Sequence, residues 1–169
     1  MDAVEAIMTR RSIRKYKTEP VSDELMKRIL SAAMAAPTAG NQQEWEFIVI
    51  TDRKILDAIP DVHPYSRMLL EAPAAILVCG NLQTEMKEGY YPQDCAAATQ
   101  NILLAAHALG LGSVWLGVHP REERVAGIRK LLGIPDHVVP VALVAIGHPA
   151  ESHPGIDRYD EKKVHRDTW

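Results

Sequence analysis

The stretch that decides the fold runs from Asp94 to Gly117, in one-letter code DCAAATQNILLAAHALGLGSVWLG. Its first part, Asp94 to Leu109, is rich in alanine and poor in polar groups. That composition has high helix propensity and predicts the longest helix of the chain, running through the core. Gly110 is placed to end it in the left-handed position after the last turn. Ser113 to Val118 then reads as a strand. The Gly110-Leu111-Gly112 pair invites a dinucleotide-binding reading, but that fingerprint needs a strand before it, a helix after it and a third glycine three residues on. Here the helix comes first, the strand second, and Trp115 stands in the third glycine's place. A doubly wound nucleotide fold is excluded on order alone.

Working outward, Val4, Ile7 and Met8 lie at helical spacing, so residues 2–10 predict a short helix. Ser22 is an N-cap for a second helix over 23–35, with Leu25, Ile29 and Ala33 on its apolar face, and Pro37 ends it. Thr38 to Gln43 form a polar loop in which Gly40 and Asn41 permit unusual backbone angles. Residues 45–51, rich in β-branched and aromatic side chains, predict a strand. A short helix is expected over 53–59, a loop over 60–66 and a helical turn at Met68 to Leu70. Residues 74–79, apolar throughout, predict a strand buried on both faces. Residues 81–92 are polar and read as a flap. Residues 121–132 predict an amphipathic helix, and 141–146 a fourth, buried strand. The class is α+β, a mostly antiparallel or mixed sheet of four to five strands flanked by helices. Trp45 and Trp115, at strand spacing, are expected in the core.

The chain is 169 residues long with a net charge of -3, enough for one domain and too acidic for general nucleic-acid binding. Its start lacks the long apolar run of a signal peptide, and no stretch reaches the roughly 20 apolar residues of a membrane span. Cys79 and Cys95 lack CxxC spacing and read as reduced core thiols, which points to the cytoplasm. The seven histidines show no metal-binding spacing, Ser113 is in no nucleophile elbow, and there is no phosphate-binding P-loop. No metal and no catalytic side chain is expected. From His148 onward the last 22 residues have no periodic apolar face, and a tail of that length fits a surface other than its own domain, a second subunit first of all.

Against this background the segment Arg10-Arg11-Ser12-Ile13-Arg14-Lys15-Tyr16 stands out. Five of the eight residues from Arg10 to Lys17 are cationic, and that density repels itself unless an anion or carboxylates sit among it. Arginine matches phosphate through its planar fork, and Ser12 adds a hydroxyl. The alternative is a solvated helix end, where cations also suit the macrodipole. The basic turn, the Pro37 to Asn41 loop, the glycine-bounded strand at Trp115 to Gly117 and Arg158 in the tail together suit a ligand with a phosphate at one end and a polar heterocycle at the other.

Four segments, Arg10 to Arg14, Ala36 to Trp45, Gln100 to Gly117 and Arg158, give the chain a resemblance to the FMN-dependent nitroreductase family that runs nearly end to end. The resemblance implies a homodimer with FMN at the subunit interface and with residues 148–169 wrapping the partner. It implies that Arg10, Ser12 and Arg158 hold phosphate and ribityl, that Arg11 contributes through its backbone, and that Arg14 lies at the pyrimidine edge. Pro37, Thr38, Ala39 and Asn41 of the other subunit would meet the isoalloxazine. The strand segment Trp115, Leu116 and Gly117 would bring the Leu116 and Gly117 amides to N5 and O4. The implied chemistry is ping-pong hydride transfer from NAD(P)H through flavin to a nitroaromatic, quinone or enone. The family's specialised relatives, dehalogenase-like or flavin-cleaving, carry larger insertions than this compact chain has room for. A non-catalytic FMN-binding sensor is the reading of another class. Glu44 departs from the family pattern, standing where proline is frequent.

Overall fold

The computed structural model describes residues 1–169. Nine regular elements follow one another: α1 (Ala3–Thr9), α2 (Asp23–Met34), β1 (Trp45–Ile50), α3 (Arg53–Val62), β2 (Ala74–Asn81), α4 (Tyr91–Ala108), β3 (Gly112–Gly117), α5 (Glu122–Leu132) and β4 (Val138–Gly147). The class is α+β, as expected. The sheet has four strands in the order β1-β2-β4-β3, and every pair is antiparallel. Its one parallel element is an isolated bridge between Ser12 and Ser113.

Alternation along the strands divides the core into two layers. Ala75, Leu77 and Cys79 of β2 join Val114, Leu116, Leu143 and Ala145 under α3 and α5, where Leu56, Ile59 and Ile128 are fully buried. Ala74, Ile76 and Val78 join Ala142, Val144 and Ile146 under α2 and α4, which contribute Ile29, Ala33, Ala98 and Ile102. A sheet covered on both faces explains why β2 is apolar throughout rather than alternating. Burying each of the large aliphatic side chains contributes about 1.5–3 kcal/mol. Ser22 caps α2 with its side chain on the Leu25 amide, and Gly133, at φ 66°, closes α5 in the left-handed conformation.

Several boundaries, and the placement of Trp115, differ from the sequence reading. α3 runs through Pro60 to Val62, because Leu56 and Ile59 are anchored in the core and the His63 amide bonds back to the Ile59 carbonyl. α4 begins three residues earlier than Asp94, with Pro92 in its first turn, where the missing N–H has no intrahelical partner to lose. β4 starts at Val138, paired with Asn81. Trp115 is not in the core: it stands on the edge strand β3 beside Val144 and is 37% exposed.

The tail divides in two. Its first part is held by the chain's own basic stretch: Lys17 donates to the His148 carbonyl at 2.8 Å and Ala150 to the Lys15 carbonyl at 2.9 Å. Beyond it, Ile156, Tyr159, Val164 and Trp169 are exposed. No helix is long and apolar enough to cross a membrane.

Candidate functional site

The basic stretch leaves α1 at Arg10 and is laid along the free edge of β3. Ile13 donates its N–H to the Ser113 carbonyl at 3.0 Å, and Tyr16, buried, donates its hydroxyl to the Ile13 carbonyl at 2.6 Å. Glu151 reaches the same segment from the tail and accepts the Arg14 and Lys15 amides at 2.6 and 3.2 Å. Those amides hold its carboxyl below the usual carboxylate range, with His153 adding to them.

Arg10, Arg11 and Arg158 converge on one cavity of about 410 Å³, walled by Ile7, Met8 and Ile156 and also lined by Asp157. None of the three arginines forms an ion pair. Burial first, then Arg158 and Arg11, press the Arg10 pKa downward. Arg11 anchors itself by donating to the Pro154 carbonyl at 2.6 Å. Ser12 is half-buried beside the cavity at the bridge to Ser113. Arg14 is exposed.

β3 carries this end of the site toward Gly117, about 13 Å on at the strand rise. Its pairing pattern decides which amides are free. Ser113 uses its carbonyl outward, and Val118 donates to Val141 of β4 at 3.2 Å, so the outward set is Ser113, Trp115 and Gly117. Leu116 points its backbone polar groups at β4. Gly117 is exposed, and an added Cβ there would meet nothing within 4 Å. The Gly117 carbonyl accepts from His63 Nε2 and from Arg124 Nη1, each at 2.9 Å. Arg124 lies over the Tyr65 ring, 5.1 Å from its centroid. Burial lowers the His63 pKa, so the ring is neutral and Nε2 carries the proton that reaches Gly117.

The Pro37 to Asn41 loop is at the other end of the molecule. Gly40, Asn41 and Gln43 all have left-handed φ, 60°, 55° and 52°. For the two residues with side chains that conformation costs about 1–2 kcal/mol each. The loop is held by Thr38 Oγ1, which accepts the Gln43 amide at 3.0 Å, and by Asp94, which accepts the Ala39 amide at 2.9 Å. Asp94 is in the first turn of α4, while Arg10 neighbours His107 in its last turn. At 1.5 Å per residue these ends are about 20 Å apart. Within one chain, then, the structure brings Arg10, Arg11, Ser12 and Arg158 together with the Trp115 to Gly117 strand, and separates them from Pro37, Thr38, Ala39 and Asn41.

Gln42, His63, Asp94, Arg124 and Glu151 were not among the expected site residues. Gln42 sat in a polar loop that drew notice for its backbone; the others lie in segments whose partners are remote in sequence. Lys87, in the 81–92 segment, lies beside Gly40 and places a cation next to that loop.

Comparison with known proteins gives a consistent result. The family model described as the nitroreductase family matches residues 7–72 and 61–148. A protein of Methanothermobacter thermautotrophicus, provisionally named NADH dehydrogenase/NAD(P)H nitroreductase, is 50% identical over 169 residues, covering 100% of this chain and 88% of that protein. An FMN-dependent nitroreductase from Clostridium difficile superimposes with a TM-score of 0.91 at 31% identity, over 98% of this chain and 99% of that one. A provisionally assigned nitroreductase from Desulfovibrio desulfuricans, solved in complex with FMN, superimposes with a TM-score of 0.86 at 34% identity, over 100% of this chain and 98% of that one.

Proposed function

The chain belongs to the nitroreductase family, and on that premise we propose that it is an FMN-dependent oxidoreductase using NAD(P)H to reduce a small electrophilic acceptor. The observation that carries the reading is the cavity where three unpaired arginines, Arg10, Arg11 and Arg158, face one another beside an edge strand that leads to an open amide at Gly117. A phosphate relieves the repulsion among those guanidinium groups, and a ribityl chain with the flavin ring beyond it can run along β3 from Ser113 toward Gly117. FMN held by Arg10, Arg11, Ser12 and Arg158 along this edge would supply hydride chemistry at N5, between NAD(P)H and a nitroaromatic, quinone or enone in a ping-pong sequence.

The residues divide that work. Arg10, Arg11 and Arg158 bind phosphate, with Ser12 donating beside them. Gly117, with Trp115, presents the free amide edge to the flavin's polar atoms; Leu116 supports them from the core side, its own amide being turned to β4. Arg14 adds positive charge at the pyrimidine edge, where it favours the reduced, anionic flavin. No general acid is required of the protein.

The site is completed by a second copy. Pro37, Thr38, Ala39 and Asn41 stand at the far end of α4 from the phosphate cavity, so one copy's loop meets the other's phosphate end in a twofold dimer. Exposed Val4, Ile7, Met8 and Met34 supply apolar surface for such an interface, and residues 160–169, beyond those that line the chain's own cavity, extend to wrap the partner. The whole chain is thereby one FMN-binding domain with an exchanged tail.

The test is to purify the protein, record its visible spectrum and add NADH or NADPH without oxygen. A yellow protein bleached by nicotinamide is expected. A colourless protein that binds no added FMN overturns the reading, and a yellow one that neither nicotinamide bleaches makes it a flavin-binding sensor.

A further inference from the structure

Glu44 is 1% exposed, and neither of its carboxyl oxygens has a hydrogen-bond partner among the donors of the protein. The groups facing it are Gln42 of its own loop and Asp94 of α4. Asp94 is itself buried, and both hydrogen bonds it accepts end on one oxygen: Oδ2 takes the Ala39 amide at 2.9 Å and Gln42 Nε2 at 3.0 Å. Its Oδ1 is left for another donor. At the other end of the same side chain, Gln42 Oε1 accepts the Met86 and Lys87 amides at 2.9 and 2.8 Å. Gln42 and Asp94 thus pin the 38–43 loop and the 85–88 segment to the start of α4.

A bare carboxylate at Glu44 would have no offsetting charge. Neither it nor Asp94 forms an ion pair. Nearby, the Cys95 thiol of α4 is reached by Glu44, Asp94 and Glu85, Glu85 is engaged with the Tyr91 amide, and Lys87, whose amide Gln42 holds, is exposed. The first turn of a helix favours negative charge, and Asp94 stands in the first turn of α4. Two buried carboxylates in contact do not both ionise. A proton on Glu44 supplies what the arrangement lacks, an O–H directed at Asp94.

We infer that Glu44 is a protonated carboxylic acid in the folded protein, donating its O–H to Asp94, and that this proton positions the 38–43 loop and residues 85–88 on α4. The link to flavin rests on the assignment of Pro37 to Asn41 to the flavin face; the proton does not. Glu44 acts here as a positioning residue.

Infrared difference spectra between unlabelled protein and protein labelled with ¹³C in the glutamate carboxyls test the proton directly. A protonated-carboxyl stretch that shifts with the label at neutral pH, and is missing in Glu44→Gln, is expected. Its absence from the labelled wild type overturns the inference, whether or not the variant folds. As pH rises and that band disappears, the Ala39, Met86 and Lys87 amides are expected to exchange faster than base catalysis alone explains, relative to amides of β2. FMN affinity is expected to fall at least tenfold over the same interval. Glu44→Gln keeps a donor without the ionisation and removes both transitions. The same transitions in Glu44→Gln overturn the positioning role. An affinity that stays flat while the band disappears overturns the flavin link alone.

Discussion

Ser12 and Ser113 face each other across an isolated parallel bridge, and the Ile13 amide closes on the Ser113 carbonyl at 3.0 Å. This contact makes a basic turn into part of a site. It holds the segment on the edge of β3 with Arg10 and Arg11 at one end, and it fails if the two backbones are separated.

Gly112 sets that approach. A Cβ there would stand 2.7 Å from Ile13 Cγ2 and 2.9 Å from Ile13 Cβ, so Gly112→Ala must push the stretch off the strand. We expect a loss of about 1–3 kcal/mol in chemical denaturation, as for other overpacked sites, together with weaker FMN binding.

Arg10→Ala removes a charge-assisted partner worth about 1.5–3 kcal/mol, so FMN binding should weaken about ten- to a hundredfold in fluorescence-quenching titrations. Riboflavin, which lacks the phosphate, should bind the variant and the parent alike. The apoprotein's melting temperature should not fall, since the substitution relieves repulsion from Arg11 and Arg158. Equal losses for riboflavin and FMN would remove Arg10 from the phosphate.

A shared site makes an arithmetic prediction for mixed dimers. One chain carries Arg10→Ala with Arg158→Ala, the other Thr38→Ala with Asn41→Ala. Each homodimer has two defective sites, whereas the heterodimer has one doubly defective and one intact. Half-stoichiometric FMN binding at parental affinity is expected in the purified heterodimer. Sedimentation as a stable monomer would contradict the arrangement.

Two carboxyls respond to pH with opposite sign. Glu151 is held below its ordinary pKa by the Arg14 amide first, so the stability it contributes is present above the unfolded pKa and lost as pH falls through the folded one. Limited proteolysis of residues 148–169 should therefore quicken toward acid pH, and Glu151→Ala should show that susceptibility at neutral pH. Glu44 is pushed up, by burial first and then by Asp94. The folded protein binds the extra proton, so stability falls as pH rises from the ordinary carboxylate range through the raised pKa. Glu44→Gln should flatten that decline in denaturant midpoints measured across pH.

The Gly117 carbonyl has two donors, His63 and Arg124, and losing either leaves it one. His63→Ala should cost more than Arg124→Ala in thermal denaturation, because it also opens a cavity at a fully enclosed position.

Much of the fold was legible in the chain because local chemistry specified it. The Ala-rich run from Asp94 closed by Gly110, the Ser22 cap and the apolar strand at 74–79 each carry their own signal, and their order excluded a doubly wound sheet. The gathering of arginines from Arg10 was legible too, since like charge at that density is visible without coordinates. Pro60 misled because a proline's local cost is outweighed when Leu56 and Ile59 just before it are anchored in the core and the His63 amide still bonds back to Ile59. Trp115 misled because β-periodicity cannot tell a covered strand from an edge.

What the sequence by itself determined is the set of elements, their order and the chemical kind of site. Only the tertiary structure decided where its halves stand: Arg158 joins Arg10 across the whole length of the chain, while the Pro37 to Asn41 loop is carried to the opposite end of α4. The reason is that propensity, periodicity and charge act over a few residues. Distances between remote residues are set by which strand pairs with which, and here that pairing put β3 on the edge, where Ser113, Trp115 and Gly117 keep their outward backbone groups available to a partner other than β4.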